Sequence, residues 1–169
     1  LWVALDRCAD PYRVTYNGKN MGYMTPAGNV HPSYYDADDA GFLRNFTAGF
    51  CTTVGFEGAG GASVDNGEYV PQHGRIGNAP AEGYSLEETE EALIVKATVR
   101  DCVLFGRRMV LKRTYTLSYT ENKFTMSDTV TNEGEAKAEF LLLYHCNMGY
   151  PLLNENSVVK FPNEKMWAH

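Results

Sequence analysis

Apolar and polar residues alternate along much of the second half of the chain, which indicates β-strands with one buried face each. In one segment, apolar residues occupy most odd-numbered positions from Met109 to Tyr119, with polar residues at most of the positions between them. Turn-forming residues separate successive segments. The pattern therefore predicts four consecutive antiparallel strands, in the sequences ALIVKATVRDCVLF, RRMVLKRTYTLSYT, KFTMSDTVTNEG and AEFLLLYHCNM.

The segment FLLLYH differs from the others because apolar residues lie at both even and odd positions. This pattern predicts a strand that is buried on both faces and central in a sheet packed against another layer. TAGFCTTVGF predicts a shorter strand, and Asn17-Gly18 predicts a hairpin turn. The Gly-rich EGAGGASVDNGEY predicts a flexible loop or lid, since it lacks the lysine and following helix of a phosphate-binding loop. No segment has a convincing helical period, so the predicted fold class is all-β.

The length and the net charge of the chain limit the number of domains and the kinds of partner that we expect. The 169 residues fit a single domain, 1–169, and both ends are abrupt, so we expect a truncated piece of a longer β-sandwich domain. The net charge is −6 and the basic residues are scattered, with GRRMVLKR interpreted as the solvent face of one strand. Nucleic acid and anionic membranes, which bind clustered Lys and Arg, are therefore not expected as partners.

The cysteines and the absence of targeting signals indicate a cytoplasmic protein. No run of 18 apolar residues predicts a membrane span, and LWVALDRCAD carries charges too early for a secretory signal. The cysteines form no CxxC pair, and three lie in apolar segments, where a free thiol behaves as a small hydrophobic group. We therefore expect reduced thiols at all four positions, Cys8, Cys51, Cys102 and Cys146.

His145 ends an apolar strand, in a setting that suggests a binding site. It follows three leucines and a tyrosine and precedes CNMGYPLL, so the strand stops abruptly in polar and turn-forming groups. Strand ends hold side chains rigidly, and His145 and Asn147 would there form the floor of a pocket. The alternative is a core histidine with satisfied hydrogen bonds.

A second histidine lies in the polar stretch QHGRIGNAPA, which contains His73, Arg75 and Asn78. An imidazole that donates or accepts, beside a guanidinium with a fork of donors, suits the binding of sugar hydroxyls. Arg44, shortly before an apolar strand, is a similar candidate. The alternative for each is a solvated loop or strand-start residue. We predict that His73 and His145 face one sugar-sized pocket, with Arg44 or Arg75 at its edge.

The sequence gives little support for a metal site or for covalent catalysis. A metal centre would draw on His31, His73, His145 and carboxylates, but no HxH, HxxxH or HExxH spacing is present. No metal or other cofactor is therefore predicted. No GxSxG motif is present, and no cysteine stands in a recognisable nucleophile setting.

Three segments occur in an order that resembles the galactose-mutarotase-like (aldose 1-epimerase-like) superfamily: GFLRNFTAGFCTTVG, HGRIGNAPA and YHCNMGYPLL. The chain looks closest to a bacterial branch long described as a domain of unknown function. ALDRCADPYRVTYNGKNMGYMTPAG is similar to the opening strands of the family, so the resemblance covers most of the chain. It implies an antiparallel β-supersandwich, here incomplete, whose concave sheet binds a sugar.

The resemblance also implies roles for individual residues. In aldose 1-epimerases a histidine on a central strand, followed by Asn and an aromatic residue, protonates the ring oxygen, and His145 matches that position. His73, in an HG context, matches a histidine that contacts sugar hydroxyls, and Arg44 matches an arginine that lines the site. The general base of the family is a Glu near its C-terminal end, for which no segment here matches. Glu155 and Glu164 follow His145 too soon to be its counterpart.

Three functional hypotheses follow. The first is an aldose 1-epimerase-like enzyme in which His145 is the acid and His73, Arg44, Arg75, Asn78 and Asn147 bind the sugar. The second is a non-catalytic module that binds a sugar or sugar acid, with Arg75 selecting a negative charge. The third is a metal-dependent sugar isomerase or epimerase. The expected partners are a small-molecule sugar and a second copy of the chain, or the rest of the protein, through the open strand edges.

Overall fold

A computed structural model of the chain describes residues 1–160, and nearly all of its regular structure is β. A single short helix, α1 (Phe42–Asn45), and two 3₁₀ turns (Pro32–Tyr34 and Ile76–Asn78) occur within these residues. No helix in this range is long and apolar enough to cross a membrane. The strands are β1 (Trp2–Ala4), β2 (Asp10–Arg13), β3 (Thr15–Tyr16), β4 (Lys19–Asn20), β5 (Tyr23–Met24), β6 (Ala48–Gly49), β7 (Cys51–Gly55), β8 (Ser63–Asp65), β9 (Glu68–Val70), β10 (Ala81–Glu88), β11 (Ala92–Cys102), β12 (Arg108–Ser118), β13 (Phe124–Asn132) and β14 (Leu142–Cys146).

The largest sheet has four antiparallel strands in the order β10-β11-β12-β13. Three of these strands were predicted from the alternation of apolar and polar residues, and the structure confirms all three. On β12 the odd-numbered positions Met109, Leu111 and Tyr115 point inward and are buried. Met109 and Leu111 pack with Val99 of β11 against Phe56, Ile76 and Cys8 from the first half of the chain, which makes the two-layered core of a sandwich.

The short strands pair as small antiparallel ribbons. The hairpin predicted at Asn17-Gly18 is confirmed, because β3 and β4 pair directly on either side of it. The prediction of an irregular loop in the Gly-rich segment was wrong in part. β8 and β9 pair there around Asn66-Gly67, and both turn residues have positive φ (48° and 84°), as a hairpin turn requires.

β14 pairs with β7 in a two-stranded antiparallel sheet. The predicted strand is present, but its predicted burial on both faces was wrong for the described part of the chain. Leu143 and Tyr144 are 43% and 40% exposed, and only Leu142 and His145 are partly buried. The apolar residues at both even and odd positions therefore predicted the strand correctly, but they did not predict the burial of its two faces.

The most deeply buried charge in the described residues is the guanidinium of Arg113, on the inward-facing parity of β12. All five of its N–H donors have acceptors. Two bind Asp128 (2.7 and 2.9 Å), and the others bind Asp10 (2.6 Å), the hydroxyl of Thr53 (2.7 Å) and the carbonyl of Cys8 (3.0 Å). The interpretation of GRRMVLKR as a purely solvent-facing stretch was therefore wrong at this residue.

These contacts come from separate parts of the chain and join the two layers. Asp10 lies on β2, Thr53 on β7 and Asp128 on β13. Burial raises the pKa of the Asp10 carboxyl, while the charge of Arg113 and the donors of Thr53 oppose that rise. A buried carboxylate without its cation would therefore be strongly unfavourable.

We predict that Arg113→Met destabilises the fold by about 3–5 kcal/mol, because Asp10 and Asp128 would remain buried without their cation. Urea unfolding of the variant and the wild type measures this difference. Arg100→Met is a matched control, since Arg100 also binds two carboxylates, Glu82 and Glu133, but on an exposed surface. It should cost much less. Equal losses from the two substitutions would contradict a special role for the buried guanidinium.

Candidate active site

The first element of the candidate site is His145, which β14 holds against two other rings. His145 pairs with Thr52 of β7 in the ladder, so its position along the sheet is fixed. Its imidazole lies edge-on to the ring of Phe46 (centroids 5.1 Å apart) and to the imidazole of His73 (5.7 Å). The two histidines that the sequence placed in contrasting settings thus meet in the structure.

His73 reaches this position through an unusual backbone conformation. Its φ is 61°, in the left-handed region, and its N–H and carbonyl bind Gly60 and Gly55 (both 2.9 Å). Gly74 also has positive φ, and a Cβ there would lie 2.2 Å from the carbonyl oxygen of Gly55. Only glycine allows the backbone at residue 74 to pass so close to β7, and this close approach orients the preceding imidazole.

Helix α1 supplies the apolar wall of the site. Phe42 contacts His73 (4.8 Å between centroids), Phe46 contacts His145, and the two phenyl rings lie 5.0 Å apart. Phe42, Phe46, His73 and His145 therefore form a closed set, here called the four-ring cluster. Asn45 lies on the same side of the helix and is buried.

Asn147 holds the ring of His145 in one orientation. Its Nδ2 donates to the carbonyls of His145 (2.7 Å) and Ala48 (3.2 Å), which fixes the amide so that Oδ1 faces the imidazole Nδ1 at 2.7 Å. Because Oδ1 can only accept, Nδ1 of His145 must carry a proton. Nε2 is then the nitrogen that can exchange a proton with a ligand.

The environment of the second histidine, His73, favours the neutral form of its imidazole. Burial lowers the pKa of His73, and the neighbouring imidazole of His145 lowers it further. Within residues 1–160, the buried Nδ1 of His73 has no hydrogen-bond partner, and neither do Nδ2 of Asn45 and Oδ1 of Asn78. Buried polar atoms are almost always paired, so such atoms suggest sites for a water or a ligand hydroxyl.

The two candidate arginines do not enter the four-ring cluster. The side chain of Arg44 is 78% exposed and pairs with Asp36, because it projects from the opposite side of α1 from Asn45. Arg75 pairs with Glu57 (2.7 Å) and lines an open cleft of about 1260 Å³ with Arg107 and the β8–β9 hairpin. Neither histidine is among the residues that line this cleft.

The described residues do not assemble a metal centre. His73 and His145 are adjacent, but no group of three His, Cys, Asp or Glu side chains converges in residues 1–160. His31 instead binds Ser33 within its own exposed turn (2.8 Å). Glu164 lies outside the described residues. The two histidines could at most supply part of a ligand set.

Sequence reasoning missed the aromatic wall, although the signal was present. In FLRNF the residues Phe42, Asn45 and Phe46 follow the i, i+3, i+4 spacing of one helical face. That spacing places Arg44 on the other face, as observed. The helix is only four residues long, so no period could be recognised over the usual window of about 11 residues or more.

We predict that Asn147→Ala releases the imidazole of His145 from the Nδ1–H tautomer. In the wild type the amide oxygen of Asn147 accepts from Nδ1, and without it a proton on Nε2 becomes competitive. Long-range ¹H–¹⁵N NMR of the imidazole distinguishes the two tautomers. Asn20→Ala is a suitable control, because Asn20 binds only its neighbour Gly22. A neutral imidazole in the wild type that carries its proton on Nε2 and not on Nδ1 would contradict the assigned orientation.

We also predict that His73 makes the fold sensitive to acid. Because its folded-state pKa lies below the unfolded value of 6.5, its contribution to stability is complete above that pH. The contribution decreases as the pH falls from 6.5 through the folded-state pKa, by less than about 1 kcal/mol because solvent screens the partly exposed ring. His73→Asn, which tolerates positive φ, should lose less stability between pH 7.5 and 5.5 than the wild type. Equal losses in urea unfolding would show that this ring is not responsible.

The fold is similar to part of a known structure. A crystal structure described as a putative aldose 1-epimerase from Klebsiella pneumoniae superposes with a TM-score of 0.81 over 89% of this chain, at 21% sequence identity. The matched region is 41% of the length of that chain. The predicted galactose-mutarotase-like β-sandwich class is thereby confirmed.

Comparison of sequences identifies the family. No curated protein matches the chain significantly. A family model described as Domain of unknown function (DUF4432) matches residues 1–169, the whole sequence. The resemblance noted in the sequence therefore agrees with the observed fold, and the chain belongs to the DUF4432 family.

Proposed function

We propose that the protein containing this chain catalyses the interconversion of sugar anomers by acid–base chemistry, in the manner of an aldose 1-epimerase. The observation that carries this proposal is the amide clamp on His145. Asn147 fixes the ring so that Nε2 is the nitrogen available for proton exchange, beside a second imidazole and two phenyl rings. The similarity in fold to a structure described as a putative aldose 1-epimerase supports the same chemistry.

His145 is the proposed proton donor. Ring opening of a cyclic sugar requires a proton on the ring oxygen while the anomeric hydroxyl loses one. The donor is the imidazolium form, which carries a proton on Nε2 as well as on Nδ1; it gives the Nε2 proton to the ring oxygen and takes a proton back there when the ring closes. The Asn147 clamp prevents the ring from turning, so its donor nitrogen stays in place through both steps.

His73 is proposed to bind a sugar hydroxyl. A neutral imidazole can accept or donate a hydrogen bond, and its lowered pKa favours this neutral form. Its unpaired Nδ1 is proposed to bind a sugar hydroxyl, and the unpaired amide nitrogen of Asn45 and amide oxygen of Asn78 are proposed as a further donor and a further acceptor. The phenyl rings of Phe42 and Phe46 would cover the apolar side of the pocket.

This proposal revises the roles first assigned to three residues. Asn147 acts as a positioning residue, because both nitrogen-bound hydrogens and its oxygen already have protein partners. Arg44 and Arg75 each have a carboxylate partner outside the four-ring cluster, so they are not assigned to the sugar. The proposed general base is a carboxylate from another part of the protein, since no segment of this chain matches the base of the family.

We predict that His145→Ala in the whole protein lowers the rate of anomer exchange by ~10²-fold or more, the usual effect of removing a general acid. Exchange NMR measures the rate between the two anomers of each sugar in a panel of aldoses, above the uncatalysed rate in buffer. His31→Ala removes a histidine from an exposed turn and serves as the control, with an expected rate equal to that of the wild type. An unchanged rate in His145→Ala would reject the assigned role.

The same experiment separates the two rival functions. A wild-type protein that binds an aldose or sugar acid without accelerating exchange would be a binding module, and the enzymatic proposal would be wrong. Activity that is abolished by a chelator and restored by one divalent metal would instead indicate a metal-dependent isomerase, with His73 and His145 as two of its ligands.

A further inference from the structure

Cys51 and Cys146 lie directly opposite each other on β7 and β14, and their sulfur atoms are 3.9 Å apart. The sequence separates them by 95 residues and gives no sign that they meet. Cys51 is buried, whereas Cys146 is exposed. Their side chains lie on the face of this sheet opposite His145, since neighbouring residues of a strand alternate between faces.

The backbone hydrogen bonds show whether Cys51 and Cys146 form a hydrogen-bonded or a non-hydrogen-bonded pair of the antiparallel ladder. On either side of it, Asn147 donates to Phe50 (2.9 Å) and Phe56 donates to Leu141 (2.6 Å). Because hydrogen-bonded and non-hydrogen-bonded pairs alternate along an antiparallel ladder, Cys51 and Cys146 form a non-hydrogen-bonded pair. Thr53, two residues along the strand, agrees with this assignment, because its N–H points away from β14 to Asp10 (2.8 Å).

In such pairs the Cα atoms are about 4.5 Å apart and the side chains approach each other more closely than in hydrogen-bonded pairs. A disulfide requires Cα atoms between about 4.4 and 6.8 Å apart. The two strands can therefore accept a disulfide without a change of register, although the Cα separation lies near the short limit. A bridge near this limit is strained, and strained bridges are the ones that reducing agents open readily.

We infer that Cys51 and Cys146 are a site of reversible oxidation, at which a low-molecular-weight disulfide such as oxidised glutathione converts the two thiols into a cross-strand disulfide. This inference does not depend on the proposed function. It also agrees with a reducing compartment, where disulfides in mesophilic proteins are usually transient or regulatory rather than structural.

The reaction begins at the exposed sulfur. Burial raises the pKa of the Cys51 thiol, and the neighbouring Cys146 raises it further, so Cys51 remains protonated. The thiolate of Cys146 attacks one sulfur of the external disulfide, forms a mixed disulfide and releases one thiolate. Cys51 then loses its proton and attacks Sγ of Cys146, which releases the second thiolate. Two electrons pass from the cysteine pair to the external disulfide, which becomes two thiols.

The bridge would form in the peptide segment that holds the candidate site. Cys146 is the residue between His145 and Asn147, the two partners of the amide clamp. A disulfide would fasten this residue to β7, so the oxidised form should hold β14 in place more firmly than the reduced form.

The test is to incubate the folded protein with oxidised glutathione, block the remaining thiols with an alkylating agent, and analyse intact mass and peptides. Of the four thiols in this chain, the inference predicts that those of Cys51 and Cys146 disappear without addition of glutathione to either residue, and that the peptides containing them become linked. Dithiothreitol should restore all four. Cys102 is the matched control, because it is exposed but only donates to the carbonyl of Met109. It should acquire glutathione instead of an internal bridge.

Two variants complete the experiment. Cys146→Ser should remove the bridge and leave Cys51 free and unmodified, and Cys51→Ser should leave Cys146 carrying glutathione. If the Cys51→Ser variant did not fold, the results for the wild type and for Cys146→Ser would still decide whether the bridge forms. Retention of glutathione on wild-type Cys146, or linkage of either cysteine to Cys102 or Cys8, would overturn the inference.

Discussion

The guanidinium of Arg113 is the constraint on which the arrangement of this domain depends. It is fully buried, and each of its five donors reaches an acceptor on a different part of the chain or on a second atom of the same carboxylate. Asp128 also accepts from the hydroxyl of Tyr144 on β14 (2.8 Å). Through Thr53 and Tyr144, the network holds both strands of the small sheet that carries His145. A charge of this kind is stable in the interior only when every partner is in place, so it favours one relative position of the two layers.

The sequence pattern predicted three strands of the large sheet well, because these strands are long and each has one face that is more apolar than the other. From Leu111 to Thr116 the residues of β12 alternate between buried and more exposed positions, and that signal is difficult to mistake. Arg113 was overlooked because it occupies an inward position where an apolar residue was expected, although its odd-numbered place in the alternation already indicated its direction. Its carboxylate partners are 103 and 15 residues away in sequence, so no local pattern could indicate them.

Prediction of the candidate site was more uneven. The motifs HGRIGNAPA and YHCNMGYPLL identified His73 and His145 as candidate site residues, and the structure places the centroids of their rings 5.7 Å apart. The role of Asn147 could not be obtained from its spacing alone, since hydrogen-bond partners decide whether an amide binds a ligand or orients a neighbour. Arg44 and Arg75 were selected for their chemistry, but their direction depends on a four-residue helix and on a pairing with Glu57, neither of which the sequence reveals. The adjacency of Cys51 and Cys146 likewise depends on a strand register set by distant contacts.

The central claim is that the fixed Nε2 of His145 faces a bound sugar. The most direct measurement is a crystal structure of the whole protein with an aldose bound. We expect the ring oxygen of the sugar to lie within about 3 Å of Nε2 of His145, with the Asn147 clamp on Nδ1 intact. A sugar bound only in the cleft beside Arg75 and Arg107, or an imidazole turned so that Nδ1 faces the ligand, would contradict it.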